Sequence, residues 1–497
     1  MLRCLVTATL DSRLPNTGIG VPCRGGLLLG RAGFVLAAML GLLACSESEE
    51  STPPDPPPGF SESRWQTDAD GRVVLHRGVN ISNLQKNSDG YIYPWPEHFG
   101  LLDELALTQV RYLVFWEAIE PSPGQYDYDY IQAVREQMEA LSQRGISVLV
   151  DMHQDVWGAG FGFTGMPRWA CDEEYYESFV PSGAGWFTNY FSDEVRACFD
   201  VFYSDESLQE SFAAAWVAVI QEVRDLPGVD GYEVLNEPFW GNTPAIQYEE
   251  EALAPFYERV VPLLAAADPG KPIYVEPGVH TNPMIARPAL PELDVGEVTL
   301  VLAPHLYPAW TEGAGYPGEL DLELEHLDAI VALAVQRSWA LSLTETGTPL
   351  SQEGGADYLH DIAAATQARG MDLLWWTVDP RNLNGMGLLH EHDEGIPGGW
   401  SDEARQGLAL PLVHRVPGEP EAISWQRDSE VLEVRARDIG SSRRVLEIRV
   451  PDGLWPGELN VTGDVADWTR SSDGRVLEVT VPPSILLWTV TVAPVTR

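Results

Sequence analysis

From Val74 to Val378 the chain alternates short, almost unbroken apolar runs with longer amphipathic stretches. The runs are VLHRGVNIS (74–82), QVRYLVFW (109–116), ISVLVDMH (146–153), VDGYEVLNE (229–237), PIYVEP (272–277), VTLVLAPHLY (298–307), WALSLTET (339–346) and MDLLWWTV (371–378). Near-continuous Val, Leu and Ile suit strands covered on both faces, as in a parallel sheet. Between them, segments such as DYIQAVREQMEALSQRG (129–145) and LELEHLDAIVALAVQRS (322–338) carry helical periodicity and helix stop signals. Eight strand–helix repeats predict an α/β fold, a (β/α)8 TIM barrel over residues 63–416, whose last helix spans 401–415. After Pro417 the texture changes to apolar–polar alternation broken by turn residues, as in RRVLEIRVPDG. That pattern predicts a C-terminal antiparallel β-sandwich domain over 417–497.

The ends of the eight runs are polar. Arg111 lies in the second, His153 ends the third, Asn236 and Glu237 end the fourth, His305 and Tyr307 end the sixth, Glu345 ends the seventh and Trp376 lies in the eighth. Strand ends at one face of a barrel are where such folds keep their chemistry. A lone strand-end glutamate is most often a surface or ion-pairing residue. Two of them, on the fourth and seventh strands, can instead meet across the barrel mouth. Hydrolysing a glycoside with retention needs such a pair about 5–5.5 Å apart, one protonated and one ionised.

Composition narrows the reading. The chain is 44% hydrophobic and 10% aromatic, which suits a globular protein, and its formal charge of −43 excludes a nucleic-acid partner. Residues 1–45 read as a lipoprotein-type signal peptide: Arg24 and Arg31 precede AGFVLAAMLGLLAC, too short an apolar stretch to span a bilayer comfortably. The LLAC resembles a lipobox, which makes Cys45 the lipidated N-terminus; the alternative is an ordinary signal peptide with an incidental cysteine. Residues 46–62 form a Pro/Ser/Glu-rich tether. The expected location is a bacterial cell envelope, exported and lipid-anchored, or secreted. Cys171 and Cys198 could pair there, in an oxidising compartment.

In this order and on these strands, Arg, His, Asn–Glu, His-x-Tyr, Glu and Trp resemble family 5 of the glycoside hydrolases. VNISNLQKNSDGY, DMHQD, LNEPFWG and the C-terminal sandwich resemble, more narrowly, its endoglycoceramidase branch. The resemblance covers roughly residues 63–497. It implies Glu237 as acid/base, Glu345 as nucleophile and Asn236 as the partner of the sugar 2-hydroxyl. Arg111 and Tyr307 are then expected to hold Glu345, and His153 and His305 to orient the sugar and the nucleophile's surroundings. Trp376 would stack on the sugar ring, and Asp155 and Lys86 bind hydroxyls of the sugar beside the scissile bond. Lys86 is one of only two lysines, the other being Lys271.

The implied activity is double-displacement hydrolysis of the β-glycosidic bond between a sugar and a lipid aglycone. Alternatives are a β-glucosidase or endoglucanase acting on soluble β-glucans, and an inactive glycan-binding protein. No cofactor or metal is expected: HEHDE (390–394) lacks the HExxH spacing of metalloproteases. The expected partners are the glycolipid or other β-glycoside and, through Cys45, a membrane; no oligomeric state is specified. The long segment 154–204 carries Trp157, Phe161, Phe163, Trp169, Trp186, Phe187, Tyr190, Phe191, Phe199 and Phe202. These either line a groove for the lipid or pack into a small core of their own.

Overall fold

The computed structural model describes residues 65–495 apart from Met284, Ala309, 312–314, 382–384, 392–397 and Ser484. The expected signal peptide, Cys45 and the tether lie outside the described residues, as do positions 392–394 of the HEHDE segment.

A two-residue strand, β1 (Val73–Val74), precedes the barrel strands β2 (Arg77–Ile81), β3 (Gln109–Val114), β4 (Ser147–Met152), β5 (Val229–Glu233) and β6 (Ile273–Val275). They are followed by β7 (Leu300–Leu302), β8 (His305–Leu306), β9 (Ala340–Thr346) and β10 (Asp372–Trp375). All pair in parallel, β7 and β8 are two pieces of one strand broken at Ala303 and Pro304, and β10 pairs with both β2 and β9. The sheet thus closes into an eight-stranded parallel barrel. Its chemistry follows from the two-residue period of a strand. On β3, Val110, Tyr112 and Val114 join the core shared with the helices, whereas Arg111 faces the barrel's axis. On β4, Val148, Val150 and Met152 face outward, and Leu149 and Asp151 inward. The helix at Tyr128–Ser142 shows how the outer layer is made. Asp127 caps it by accepting from Tyr130 N–H, and Ile131, Val134, Met138 and Leu141 form its buried stripe.

Two expectations need correcting. The helix read at 401–415 covers only Asp402–Gly407; Pro411 cannot donate to a continuing helix, and Leu412–Val416 is a strand, β11. The second unit therefore starts before residue 417 and draws in the segment ahead of the barrel: β1 pairs antiparallel with β11, and Trp65, Val73 and Leu75 enter its core. That unit contains two antiparallel sheets. One is β1-β11-β14-β17-β16, with β14 at Val445–Arg449, β16 at Asp467–Arg470 and β17 at Val476–Thr480; the other is β12-β13-β18-β15, with β12 at Glu419–Gln426, β13 at Val431–Arg437, β15 at Leu459–Gly463 and β18 at Leu487–Pro494. Alternate residues of both, such as Leu446, Ile448, Leu477, Val434, Trp488 and Val490, share one apolar cluster. Among the described residues no helix is long and apolar enough to cross a membrane.

Candidate active site

The fourth barrel strand explains how two consecutive residues reach one site. Tyr232 and Val234 point into the outer core and Glu233 to the axis, but Leu235 then joins the outer core as well, so the alternation breaks. Asn236 N–H donates to Met152 O (3.0 Å), and Glu237 adopts a left-handed backbone at φ 44°. Pro238 ends any ladder. Both polar side chains are thereby turned into the barrel mouth. A non-glycine residue held at positive φ is costly and is found where the surroundings over-determine it. Here the surroundings include Glu276, whose carboxylate accepts the Glu237 N–H at 3.0 Å.

Glu345 lies at the end of β9, directly beside His305 of β8 in the parallel register. Arg111 Nη1 donates to its Oε1 at 2.6 Å, and Tyr307 Oη donates to its Oε2 at 2.8 Å. His305 Nδ1 stands 3.1 Å from Glu237 Oε1 and 3.6 Å from Glu345 Oε2. One ligand atom from each of Glu237, His305 and Glu345 falls within 4.8 Å of the others, so the two carboxylates face each other across one imidazole. Burial first, and Asp155 next, push Glu237 up to about 7. That is the environment of a carboxyl that stays protonated near neutrality.

A second cluster flanks the pair. Lys86, in the Asn83–Lys86 turn after β2, meets Asp155 at 2.6 Å, and its ammonium lies 4.4 Å from the centre of the Trp376 ring. Burial would raise Asp155, but Lys86 and His153 outweigh it and hold its carboxyl well below the usual range. His153 bonds Asp151 through Nδ1 (2.8 Å) and stacks on Trp376, with centroids 5.8 Å apart. Burial pulls the His153 imidazole down, yet Asp151 and Asp155 leave it raised overall. Asn236 is pinned at both ends, accepting from Arg111 Nη2 (2.9 Å) and donating to Gln154 O (2.9 Å). All ten residues singled out as catalytic or substrate-binding thus meet at one end of the barrel. His153, Asn236, Glu237, Tyr307 and Trp376 do so from just beyond their strands.

Several buried residues escaped the sequence reading. Arg111 also contacts Asp151 (3.0 Å), Glu233 (2.5 Å) and Glu276 (3.4 Å), and Asn80 accepts from its Nη1 at 3.0 Å. Glu276 had a usable signal: Glu276–Pro277 at the end of the fifth run repeats the Glu237–Pro238 pair at the end of the fourth. Two triads, Glu233–Glu276–His305 and Glu237–His305–Glu345, have the atoms of a possible metal site. In them Glu233 and Glu345 are already engaged by Arg111, Thr344 and Tyr307, Glu276 by Arg111, and Glu237 faces His305.

The buried rings of the 154–204 segment join the barrel's main core and form neither a separate small core nor, for the most part, a groove. Trp157, Tyr190, Phe199 and Phe202 are fully buried and pack with Phe212, Phe239 and Phe256, and a Cys171–Cys198 disulfide staples the excursion to the helix at Asp193–Ser204. Phe161 packs on Tyr176, and Trp169 edge-on to Trp116. Trp186 is the exception at 48% exposed. From it a chain of ring contacts runs through Phe187 and Phe191 to Trp240, three residues beyond Glu237.

Comparison with known proteins agrees with this geometry. The family model described as cellulase (glycosyl hydrolase family 5) matches residues 67–382. Endoglycoceramidase I of Rhodococcus hoagii (strain 103S) is 28% identical over 442 residues, covering 83% of each chain. Among solved structures, the ganglioside GM3 complex of endo-glycoceramidase II from Rhodococcus sp. superposes with a TM-score of 0.76 at 26% identity, covering 87% of this chain and 99% of that one. The lactosyl-enzyme intermediate of the same enzyme gives 0.75 at 25% identity, with 87% and 100% covered. With the barrel, the order of its polar strand ends and a family match over most of its length, this chain belongs to glycoside hydrolase family 5.

Proposed function

We propose that the protein hydrolyses the β-glycosidic bond of a glycolipid of the glycosylceramide type, with retention, using Glu345 as nucleophile and Glu237 as acid/base. The carrying observation is the carboxylate pair, with oxygens within 4.8 Å of one another. That is the narrow spacing of a double displacement; inversion needs about 6.5–9.5 Å to admit a water. In the first step Glu345 attacks the anomeric carbon while Glu237 gives its proton to the departing lipid oxygen. In the second, Glu237 takes a proton from water, which attacks the same carbon and releases Glu345. Arg111 and Tyr307 hold and aim the nucleophile through two hydrogen bonds, and Trp376 offers its face to the sugar ring. Lys86, His153 and Asp155 present polar groups to sugar hydroxyls, and Asn236 to the 2-hydroxyl. The two C-terminal sheets form a β-sandwich that braces the barrel, with Trp425 Nε1 donating to His360 Nε2 at 3.2 Å.

The lipid aglycone is supported by relatives named endoglycoceramidases and by the aromatic path from Trp240 to exposed Trp186. The competing substrate class is soluble β-glucans, as the family model's cellulase description suggests. Initial rates on glycosylceramide in detergent micelles, set beside cello-oligosaccharides, separate the two. The expected result is a clear preference for the micellar glycolipid. Trp186→Ser should raise KM severalfold for that substrate and leave a short aryl glycoside unaffected. Equal loss on both substrates would make the aromatic path scaffold, and a preference for cello-oligosaccharides would overturn the glycolipid reading.

The N-terminal pattern supports a lipid anchor at Cys45 and residence at a bacterial envelope membrane. Mass spectrometry of the membrane fraction is expected to find a mature chain beginning at acylated Cys45. An unmodified cysteine, or a processed chain found only in the medium, refutes the anchor.

A further inference from the structure

One buried acid close to the carboxylate pair has no part in the mechanism above. Glu276 follows β6, is 2% exposed, and is held from several sides. Its Oε2 accepts the Glu237 N–H at 3.0 Å. Its Oε1 lies 3.4 Å from Arg111 Nη2 and 3.4 Å from His305 Nε2. The other nitrogen of that imidazole faces Glu237 Oε1 at 3.1 Å. The atoms therefore form a chain, carboxyl–imidazole–carboxyl, from Glu276 through His305 to Glu237.

We propose that Glu276 is a positioning acid: it carries a proton, donates it in a hydrogen bond to Nε2 of His305, and so fixes the imidazole tautomer whose Nδ1–H faces Glu237.

Three observations converge on this assignment, which rests on Glu237 being the acid/base. First, the His305 Nε2 atom is fully buried and makes no hydrogen bond, and Glu276 Oε1 lies 3.4 Å from it. An unsatisfied buried nitrogen is unfavourable, and a proton between the two atoms would draw the 3.4 Å contact shorter. Second, Arg111 is one cation contacted by four buried carboxylates, Asp151, Glu233, Glu276 and Glu345. Four such anions around one cation in a low-dielectric interior cannot all stay ionised. Glu276 makes the longest of the four contacts and is the least stabilised as an anion. Third, burial and the neighbouring Glu233 drive Glu276 well above the ordinary carboxyl range, while burial pulls the His305 imidazole down to about 3, leaving it neutral. The remaining groups facing this chain are Glu345 (3.6 Å from His305 Nδ1) and Tyr257, whose hydroxyl donates to the Glu276 backbone carbonyl.

The consequence is mechanistic. With Nδ1–H toward Glu237, His305 donates to the carboxylate left after proton transfer, and Glu276 refills the other side of the ring. With the opposite tautomer, a lone pair would face that carboxylate and repel it.

The test uses the folded full chain and two readouts. Long-range 15N–1H correlation spectra of histidine-labelled protein should show His305 neutral, with its proton on Nδ1. Glu276→Gln keeps an acceptor for Glu237 N–H and a donor for His305, and should hold kcat within about threefold with the tautomer unchanged. Glu276→Ala should lose about 100-fold in kcat on a poor-leaving-group β-glycoside and much less on a dinitrophenyl glycoside, with the tautomer signal altered. A parent protein with the proton on Nε2 overturns the proposal. So does a Glu276→Gln variant as impaired as Glu276→Ala, because that would require an ionised Glu276. The spectra need no substrate, so they stand even if the glycolipid assignment fails.

Discussion

Glu345→Gln should give a folded protein whose turnover of β-glycosides falls by at least about 10⁴-fold, roughly 5.5 kcal/mol of lost transition-state stabilisation. The amide keeps the shape of the side chain and an oxygen for Arg111, but it cannot form the glycosyl–enzyme ester. The fold should not suffer, since the change removes one acidic group from the four crowded around Arg111. Circular dichroism and thermal unfolding check the fold; initial rates check the chemistry. The partner change, Glu237→Ala, should be selective. It removes the proton donor, so glycolipids fail while a dinitrophenyl glycoside, which leaves without protonation, retains much of its first step. Glu237 is pushed up to about 7, so kcat/KM of the parent should decline as pH rises through that value and the acid is lost. This basic limb should vanish in Glu237→Ala on the activated substrate. Proton NMR of the products offers the decisive stereochemical check: a β-anomer must appear first, and an initial α-anomer would sink the double displacement.

Replacing the buried guanidinium should have the largest effect on stability. Arg111 is fully buried and joins Asp151, Glu233, Glu276 and Glu345, besides accepting groups on Asn80 and Asn236. Arg111→Met fills similar volume and strands the carboxylates, a loss of about 3–5 kcal/mol by analogy with broken buried pairs. The loss should depend on pH. Without the cation, the carboxyls are favoured in their protonated form when folded, so stability is retained at low pH and falls as pH rises through their elevated values. Glu233 already stands at about 7 with Arg111 in place, raised by burial against the pull of the guanidinium. Urea unfolding at pH 5 and pH 8 should therefore show the gap between variant and parent widening at the higher pH. A gap of the same size at both would mean that the cluster is not anionic around Arg111.

The barrel and the two central carboxylates were legible in the chain. Strands covered on both faces leave unbroken apolar runs, and the polar residues that interrupt their ends are conspicuous because nothing in packing calls for them. Eight candidate residues could be named from those ends and two more, Lys86 and Asp155, from the family resemblance, and the structure brings all ten together. The excursion at 154–204 could not be resolved in the same way. A list of aromatics carries no information about which rings meet. Only the folded chain distinguishes buried Trp157, Tyr190, Phe199 and Phe202 from exposed Trp186.

What the sequence by itself determined was local: where strands and helices form, which face of each is apolar, and which polar residues sit at strand ends. Tertiary structure decided everything that depends on closure. Pairing of β1 with β11 moved the domain boundary, because a two-residue strand has no periodicity to read and β11 followed a real helix with only Pro411 to mark the break. The φ of 44° at Glu237 comes from contacts with other strands, not from its neighbours in sequence. Likewise Asp151, Glu233, Glu276 and Asn80 look like ordinary strand polar residues until eight strands close and bring them to Arg111. A side chain's direction is set by its place along one strand, whereas its partners are set by the register among all of them.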